Sequence, residues 1–394
     1  MTLKSKIPEI RFEGFSGEWE ERRMLDCSSK IGDGLHGTPI YTDNSGIYFI
    51  NGNNLILGSI CITNETKQVN KNDQSKDDKN LGLSTILMSI NGTIGNLAWY
   101  KEEKVMLGKS VAYINLENCD NNYMYTYLQT SRVNNYFFNN LTGSTIKNLG
   151  LKTIRETEVL IPNKSDEQTK IGTYFQHLDS LITQHQQKHE KLLNIKKAML
   201  EKMFPKEGAD VPEIRFEGFD GEWEEKELGE VSDRYDNLRI PITATKRISG
   251  NTPYYGANGI QGYVKGYTHD GEFILVAEDG ANDLKNYPVQ YVNGKIWVNN
   301  HAHVLQSKKN VANNHFLKFT ISKTNIEPFL VGGGRAKLNA EIMMKIVVTI
   351  PLNIEEQTKV GNFFKKLDDL IVLQQTQLKK LKNIKKASLE KMFV

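Results

Sequence analysis

Residues 7–21 read IPEIRFEGFSGEWEE and residues 211–225 read VPEIRFEGFDGEWEE, with 13 of 15 positions identical at an offset of 204. A second repeat relates residues 161–204 to residues 350–393 at an offset of 189, with 25 of 44 positions identical. The shared positions include EQTK, an LD pair and the ending NIKKA…LEKMF. A chain that repeats its flanks in this way folds as two like units, each a short tag, a long insert and a long helix. The offsets differ by 204 − 189 = 15, so the first insert, residues 22–160, is 15 residues longer than the second, residues 226–349. The inserts scarcely match each other except near their ends. There NNYMYTYL (121–128) resembles NNHFLKFT (313–320), and Gly143 and Leu149 align with Gly332 and Leu338 at the offset of 189. One fold with diverged loops accounts for this better than two unrelated folds.

Residues 167–204 hold no Pro, one early Gly and strong helix formers, with Asp166 and Glu167 at the favourable N-terminal end and Lys202 at the C-terminal end. Ile171, Phe175, Leu178 and Ile182 fall at 4-3-4 spacing, a coiled-coil-like seam. Val360, Phe364, Leu367 and Ile371 repeat it, and Leu378 and Leu381 continue it. Thirty-eight residues at about 1.5 Å each make a rod of roughly 57 Å. Such a helix cannot bury its stripe alone, so the two copies are expected to pack on each other, antiparallel, as a two-fold-related pair would. The inserts differ in kind. GIYFING, STILMSI and VAYINL in the first, and GEFILVAED and GKIWVNN in the second, are β-branched or aromatic runs bounded by Gly and Asn. Residues 121–141 and 313–330 each have room for a helix. The expected fold is therefore α+β: two sheet-centred domains separated by two long helices packed as an antiparallel coiled coil, with a pseudo-two-fold internal repeat. The expected boundaries are a tag at 1–21, a domain at 22–160, a helix at 161–204, a linker and second tag at 205–225, a domain at 226–349 and a helix at 350–394.

The 394 residues suffice for two or more domains with sizeable cores. Fifty Lys+Arg against 47 Asp+Glu give a net charge of +3, which neither demands nor excludes nucleic acid, since binding needs only a local basic stripe. Cys27, Cys61 and Cys119 are odd in number and far apart, unlike a disulfide framework or a structural zinc site. Residues 1–11 carry Lys4 and Lys6 and no apolar run, so no secretory signal is expected, and no apolar stretch is long enough to span a membrane. A soluble, cytoplasmic chain is the expectation.

With its twofold repeat, its IP…EQ…I/V-G…LD-L-I…I-KK…LEKMF helices and its unlike inserts, the sequence resembles the specificity (S) subunits of type I restriction–modification systems. The resemblance covers essentially the whole chain and extends to DGLHGTPIY (33–41), PYYGANGIQGYV (253–264) and KIWVNNHAHVL (295–305). It implies that the inserts are target-recognition domains, each reading one half of a split double-stranded DNA site. It further implies that the helices hold these domains apart and dock two DNA-methyltransferase subunits. Those partners carry S-adenosylmethionine and methylate adenine at N6, and motor–nuclease subunits complete the restriction complex. The chain itself would be non-catalytic, with no cofactor or metal of its own.

The repeat pattern agrees independently. Like flanks around unlike inserts predict two different half-sites separated by an unread gap, with the helices as the ruler. Base reading calls for Arg or Lys against guanine and Asn or Gln against adenine. The first insert offers Lys30, His36, Thr38, Tyr41, Asn51, Asn53 and Asn54, and the second offers Arg239, Lys246, Arg247, Tyr254, Tyr255, Asn258 and Lys265. Arg335 and Lys337, and Lys147 in the first copy, are candidates for phosphates. The Lys379, Lys380, Lys382, Lys385, Lys386 and Lys391 cluster is read as a solvated helix face or a docking surface.

Other signals are rejected. FEGFSG (12–17) loosely resembles a methyltransferase glycine loop but lacks a preceding apolar strand, and no N/D-P-P-Y/F motif occurs. Gly108-Lys109-Ser110 mimics the end of a P-loop, yet Glu103 stands where glycine is needed. His301 and His303 lack an evident third metal ligand, and His185 and His189 are read as seam or surface residues. The alternative reading, a DNA methyltransferase or nuclease fusion with its own activity, is left without its motifs.

Overall fold

The computed structural model describes residues 6–206, 208–332 and 336–394. The chain forms two compact units: residues up to 187 together with 376–394, and residues 188–375. The units therefore cut across the linear order. Each takes the start of one long helix and the end of the other.

In the first unit a four-stranded antiparallel sheet runs in the order Ser28–Asp33, Val111–Leu116, Thr85–Ser89, Leu97–Trp99. Beside it Tyr48–Ile50 pairs in parallel with Val105–Leu107. In the second unit six strands run in the order Ser232–Arg234, Ala302–Ser307, His269–Ala277, Val289–Val298, Ser249–Gly256, Gly259–Val264. The single strand Val289–Val298 pairs antiparallel with His269–Ala277 and parallel with Ser249–Gly256. In the first unit those two tasks fall to separate strands, Leu97–Trp99 and Val105–Leu107. The two inserts thus share one frame, and their dissimilar sequences reflect loops, a split strand and a longer hairpin. Of the expected strands, STILMSI and VAYINL lie in the sheet centre and are almost wholly buried. The region 121–141 holds two helices, Asn121–Tyr127 and Ser131–Asn139, and 313–330 holds Asn314–Lys323.

Each tag contributes one short strand, Glu20–Arg23 or Glu224–Glu227, which pairs antiparallel with the strand that leads into the long helix. The long helices, Ser165–Lys202 and Ile354–Lys391, have 38 residues each. Within the first unit Tyr174 Oη lies 3.1 Å from Ser388 Oγ, and Lys385 Nζ donates to Asp179 Oδ1 at 2.6 Å. Residue numbers rise on one helix as they fall on the other, so the segments are antiparallel there. In the second unit Lys196 pairs with Asp368 at 2.5 Å.

The expected seam has a broader task than helix pairing. Ile171, Phe175 and Leu178 are buried in one core with Tyr123, Tyr127 and Phe393, and Ile182 is buried as well. Val360, Phe364 and Leu367 meet Phe316, Phe319 and Phe204, while Ile371 is only half-buried. The stripe is therefore buried jointly by the helix of the insert domain and by the end of the other long-helix segment, with Phe393 on Phe175 and Phe204 on Phe364.

Both units are closed by the same joint. Arg11 donates through Nε and Nη2 to the two carboxylate oxygens of Glu167 at 2.6 and 2.8 Å, and Arg215 does the same to Glu356 at 2.7 and 2.8 Å. Gln168 Oε1 accepts from the backbone N–H of Asp120 at 2.9 Å, and Gln357 Oε1 accepts from that of Asn313 at 2.9 Å. Asp120 and Asn313 cap the insert helices, so the structure pairs Asp120 with Asn313 and Tyr123 with Phe316. This corrects the NN-to-NN alignment by one residue, because the cap position fixes the register. Trp19 packs on Tyr123 and Phe393, Trp223 on Phe316 and Phe204, and the tag–helix contact recurs as Ile10 N–H to Lys391 O and Ile214 N–H to Lys202 O, at 2.9 and 2.8 Å. FEGFSG belongs to this joint: Arg11 also donates to Gly17 O, Phe12 packs on Tyr174, and Phe15 lies under Lys170.

Two predictions follow from the joint. A Cβ at Gly172 would sit 2.6 Å from Tyr123 N, and one at Gly361 2.7 Å from Phe316 N. Gly172→Ala and Gly361→Ala should each lower the thermal midpoint, although a mid-helix Gly→Ala change ordinarily gains about 1 kcal/mol. A rise in either would mean that the helices do not approach so closely. Arg11→Met leaves a Glu167 carboxylate with a side-chain exposure of 1 % unpaired, which should cost about 3–5 kcal/mol in denaturant unfolding.

Candidate nucleic-acid interface

Tyr41, Asn51, Asn53 and Asn54, chosen from the sequence, converge in the first unit on a cleft of about 340 Å³ that also receives Glu65 and Lys67. The strand Tyr48–Ile50 anchors this region through the buried Phe49 and Ile50 and ends in a single turn of 3-10 helix, Gly52–Asn54. That turn is fixed by its own side chains. Asn54 Oδ1 accepts from Asn51 N–H at 2.9 Å, Asn54 Nδ2 donates to Cys61 O at 3.1 Å, and Asn51 Oδ1 accepts from Ser110 Oγ at 3.0 Å. Both Asn54 side-chain groups and the Asn51 Oδ1 therefore shape the wall, whereas Asn53 is exposed. The opposite wall is a Thr63–Thr66 turn in which Thr66 Oγ1 accepts from Thr63 N–H at 2.9 Å. Tyr41 stands edge-on to Phe49, and Lys67 Nζ lies 4.5 Å over the Tyr41 ring. Sequence reasoning missed Glu65 and Lys67. They lie outside the turn-rich stretch it followed and are brought in by the pairing of Phe49 N–H with Lys67 O.

The remaining candidates of the first insert lie elsewhere. Lys30 pairs with Asp77 at 2.5 Å, and Tyr113 Oη donates to the same carboxylate at 2.7 Å. Lys30 first and Tyr113 second hold the Asp77 carboxyl below its usual range. His36, exposed and 2.7 Å from Asp33, lines a separate hollow with Asn91, Lys109 and Asn148. Thr38 and Lys147 are exposed.

In the second unit the structure turns several candidates inward. Arg239 donates through Nη1 to Glu278 Oε2 at 2.6 Å and to Ala302 O at 2.9 Å, and through Nε to Asp236 O at 3.1 Å. Tyr254 is 1 % exposed and donates to Ile242 O, and Arg247 lies with its guanidinium carbon 4.0 Å from the Tyr254 ring centroid and donates to the same carbonyl. Asn258 pins the neighbouring loop, donating to Gly280 O and accepting from Asn282 N–H. Arg239, Tyr254 and Asn258 thus have their polar groups engaged within the fold, and Arg247 has its Nε so engaged. Tyr255 is half-buried beside the sheet core, and Lys337 pairs with Glu278 at 2.9 Å while staying half-exposed. Lys246 and Lys265 are exposed. Arg335, with Gly333 and Gly334, lies outside the described residues.

Around Arg239 lies a dense polar network. His303, buried, meets Asp236 through Nδ1 at 2.7 Å and Leu338 O through Nε2 at 2.9 Å. The ligand atoms of Asp236, Glu278 and His303 lie within 4.8 Å of one another, a spacing a cation tolerates, but Arg239 and Lys337 are the positive charges seated there. Burial pulls the Asp236 carboxyl up. His303, the Val304 N–H and Arg239 outweigh it and leave the group below its ordinary 3.8. Burial likewise opposes Arg239 and Lys337 at Glu278, which ends below its ordinary 4.5. In the helix lysine cluster, Lys385 is committed to Asp179 and Gln129, and Lys391 to Glu9.

The two inserts thus present different surfaces on one frame. The profile of the type I restriction modification DNA specificity domain matches residues 31–194 and again residues 220–383, and the chain belongs to that family. Over 135 residues it is 49 % identical to a putative type I restriction enzyme specificity subunit of Haemophilus influenzae, covering 34 % of each chain. Over 160 residues it is 26 % identical to the type I restriction enzyme EcoprrI specificity subunit of Escherichia coli, covering 40 % of this chain and 39 % of that one. The chain thus spans little more than a third of the length of these curated relatives. In fold it is similar to the S subunit of a type I restriction–modification system from M. genitalium, with a TM-score of 0.75, 17 % identity and coverage of 98 % of this chain and 99 % of that one. Among the described residues no helix is long and apolar enough to cross a membrane.

Because Asp236 and Glu278 are depressed on folding, they stabilise the second unit above their ordinary values, and that stability is lost as pH falls through the folded values. Thermal midpoints should therefore fall on acidification below about pH 4.5. Arg239→Met should lower the midpoint near neutrality and flatten this acid limb. An unchanged limb would detach Arg239 from the network.

Proposed function

We propose that this chain is the non-catalytic specificity subunit of a type I restriction–modification complex and reads an asymmetric, two-part DNA site. Residues 22–160 read one half and residues 226–349 the other. The observation that carries this reading is the contrast between repeated and unrepeated parts. The joints match residue for residue, from Arg11–Glu167 to Arg215–Glu356, while the surfaces they carry differ. Identical mountings with unlike readers favour two unlike half-sites separated by a gap. The exposed His36, Thr38, Tyr41, Asn53, Lys147, Lys246 and Lys265 are the candidates for contact with DNA.

On this reading the long helices dock two adenine-N6 methyltransferase subunits, which bring the S-adenosylmethionine, and motor–nuclease subunits join them for restriction. This chain's part is to place those partners along the duplex, in the cytoplasm.

Exchanging residues 22–160 for the matching insert of another family member should change one half of the methylated sequence in cells and leave the other half and the gap unchanged. A change in both halves would sink the modular reading.

A further inference from the structure

The cleft in the first unit leaves some functional groups unused by its own fold. Among the described residues neither the Asn53 amide nor the Glu65 carboxylate has a hydrogen-bond or ionic partner, and the Lys67 ammonium meets only the face of Tyr41. Both walls are held by side-chain to backbone hydrogen bonds, from Asn54 on one side and Thr66 on the other. The site is thus rigid where it is built and open where its charges lie.

A carboxylate brought against duplex DNA is repelled by phosphate and finds a favourable partner in an exocyclic amino group. We propose that Glu65 and Lys67 together read one C·G base pair of the first half-site. Glu65 accepts from cytosine N4, and Lys67 donates to guanine O6 and N7. In the major groove these groups lie side by side across the pair, so an acceptor and a cation in one cleft are the matching pattern. The reversed pair sets guanine O6 against the carboxylate. An A·T pair gives Glu65 an amino group but offers Lys67 a single acceptor where guanine offers two. Tyr41 aims the ammonium through the cation–π contact at 4.5 Å. The Thr63–Thr66 turn holds Glu65 through its N–H, which donates to Thr63 Oγ1 at 3.3 Å. The inference rests on the reading that residues 22–160 face DNA.

The test is selection from a randomised duplex library by the full chain, together with the subunits that copurify with it, followed by sequencing of the bound DNA. The wild type should enrich a split site with C·G fixed at one position of one half. Glu65→Gln and Lys67→Met should each weaken that preference about tenfold, at the same position, while the other half-site is selected as before and reports an intact fold. Lys67→Arg keeps two donors and should retain the preference. The inference is overturned if the two substitutions act on different positions, act on a position that is not C·G, or alter nothing. It is also overturned if a variant that selects both half-sites keeps full C·G preference without its charge. If the wild type enriches no split site, the parent reading of a two-part DNA reader has failed instead.

Discussion

The structure depends on a guanidinium locked against a buried carboxylate at the start of each long helix. Arg11 and Arg215 come from the tags, and each reaches a glutamate whose side chain is 1 % exposed. Two parallel N–H···O bonds fix direction as well as distance. The tag is thereby held to the helix start, and the neighbouring glutamine, Gln168 or Gln357, carries the constraint on to the cap of the insert helix. Gly172 and Gly361 let that insert helix approach, since any side chain there would overlap backbone. Around this polar hinge the aromatic residues Trp19, Tyr123 and Phe393, or Trp223, Phe316 and Phe204, supply the apolar burial. The hinge specifies geometry, and the rings supply the driving force.

Much of this was legible in the sequence, for a physical reason. Repetition reports a constraint met twice, so the tags, the long helices and the shared insert fold could be read from the identities at offsets of 204 and 189. The helix stripe was legible as burial but not as to what buries it, because periodicity marks an apolar face and not its partner. The cap alignment slipped by one residue because Asn121 and Asn313 look alike, while the hydrogen bond that fixes register belongs to Asp120. The second insert's long strand Val289–Val298 hid the common topology, since the first insert performs the same pairing with two short strands.

The recognition residues were less legible. Composition treats every Arg, Lys and Asn in a turn-rich stretch as an equal candidate. Folding divides them into groups that shape the surface and groups left on it. Arg239 and Arg247 look like guanine readers in one dimension, yet carboxylates and carbonyls take up the donors of Arg239, and Arg247 is held by Nε on Ile242 O with its guanidinium over the Tyr254 ring. Glu65 looks like an unfavourable charge for a DNA reader, yet the folded chain sets it beside Lys67 and Tyr41. An arginine's usefulness to a ligand is decided by what the protein has already asked of it.

The backbone bond between tag and helix end has a consequence of another kind. Ile214 N–H meets Lys202 O across a short covalent connection, whereas Ile10 N–H meets Lys391 O with no peptide link between them. The same interface forms in both cases, so continuity of the polypeptide is incidental to it. Cutting the chain between 205 and 210 and joining residue 394 to residue 6 through a short linker would exchange which joint is continuous without altering either. The contact between a tag and a helix end is in this sense independent of the order in which the polypeptide lists them.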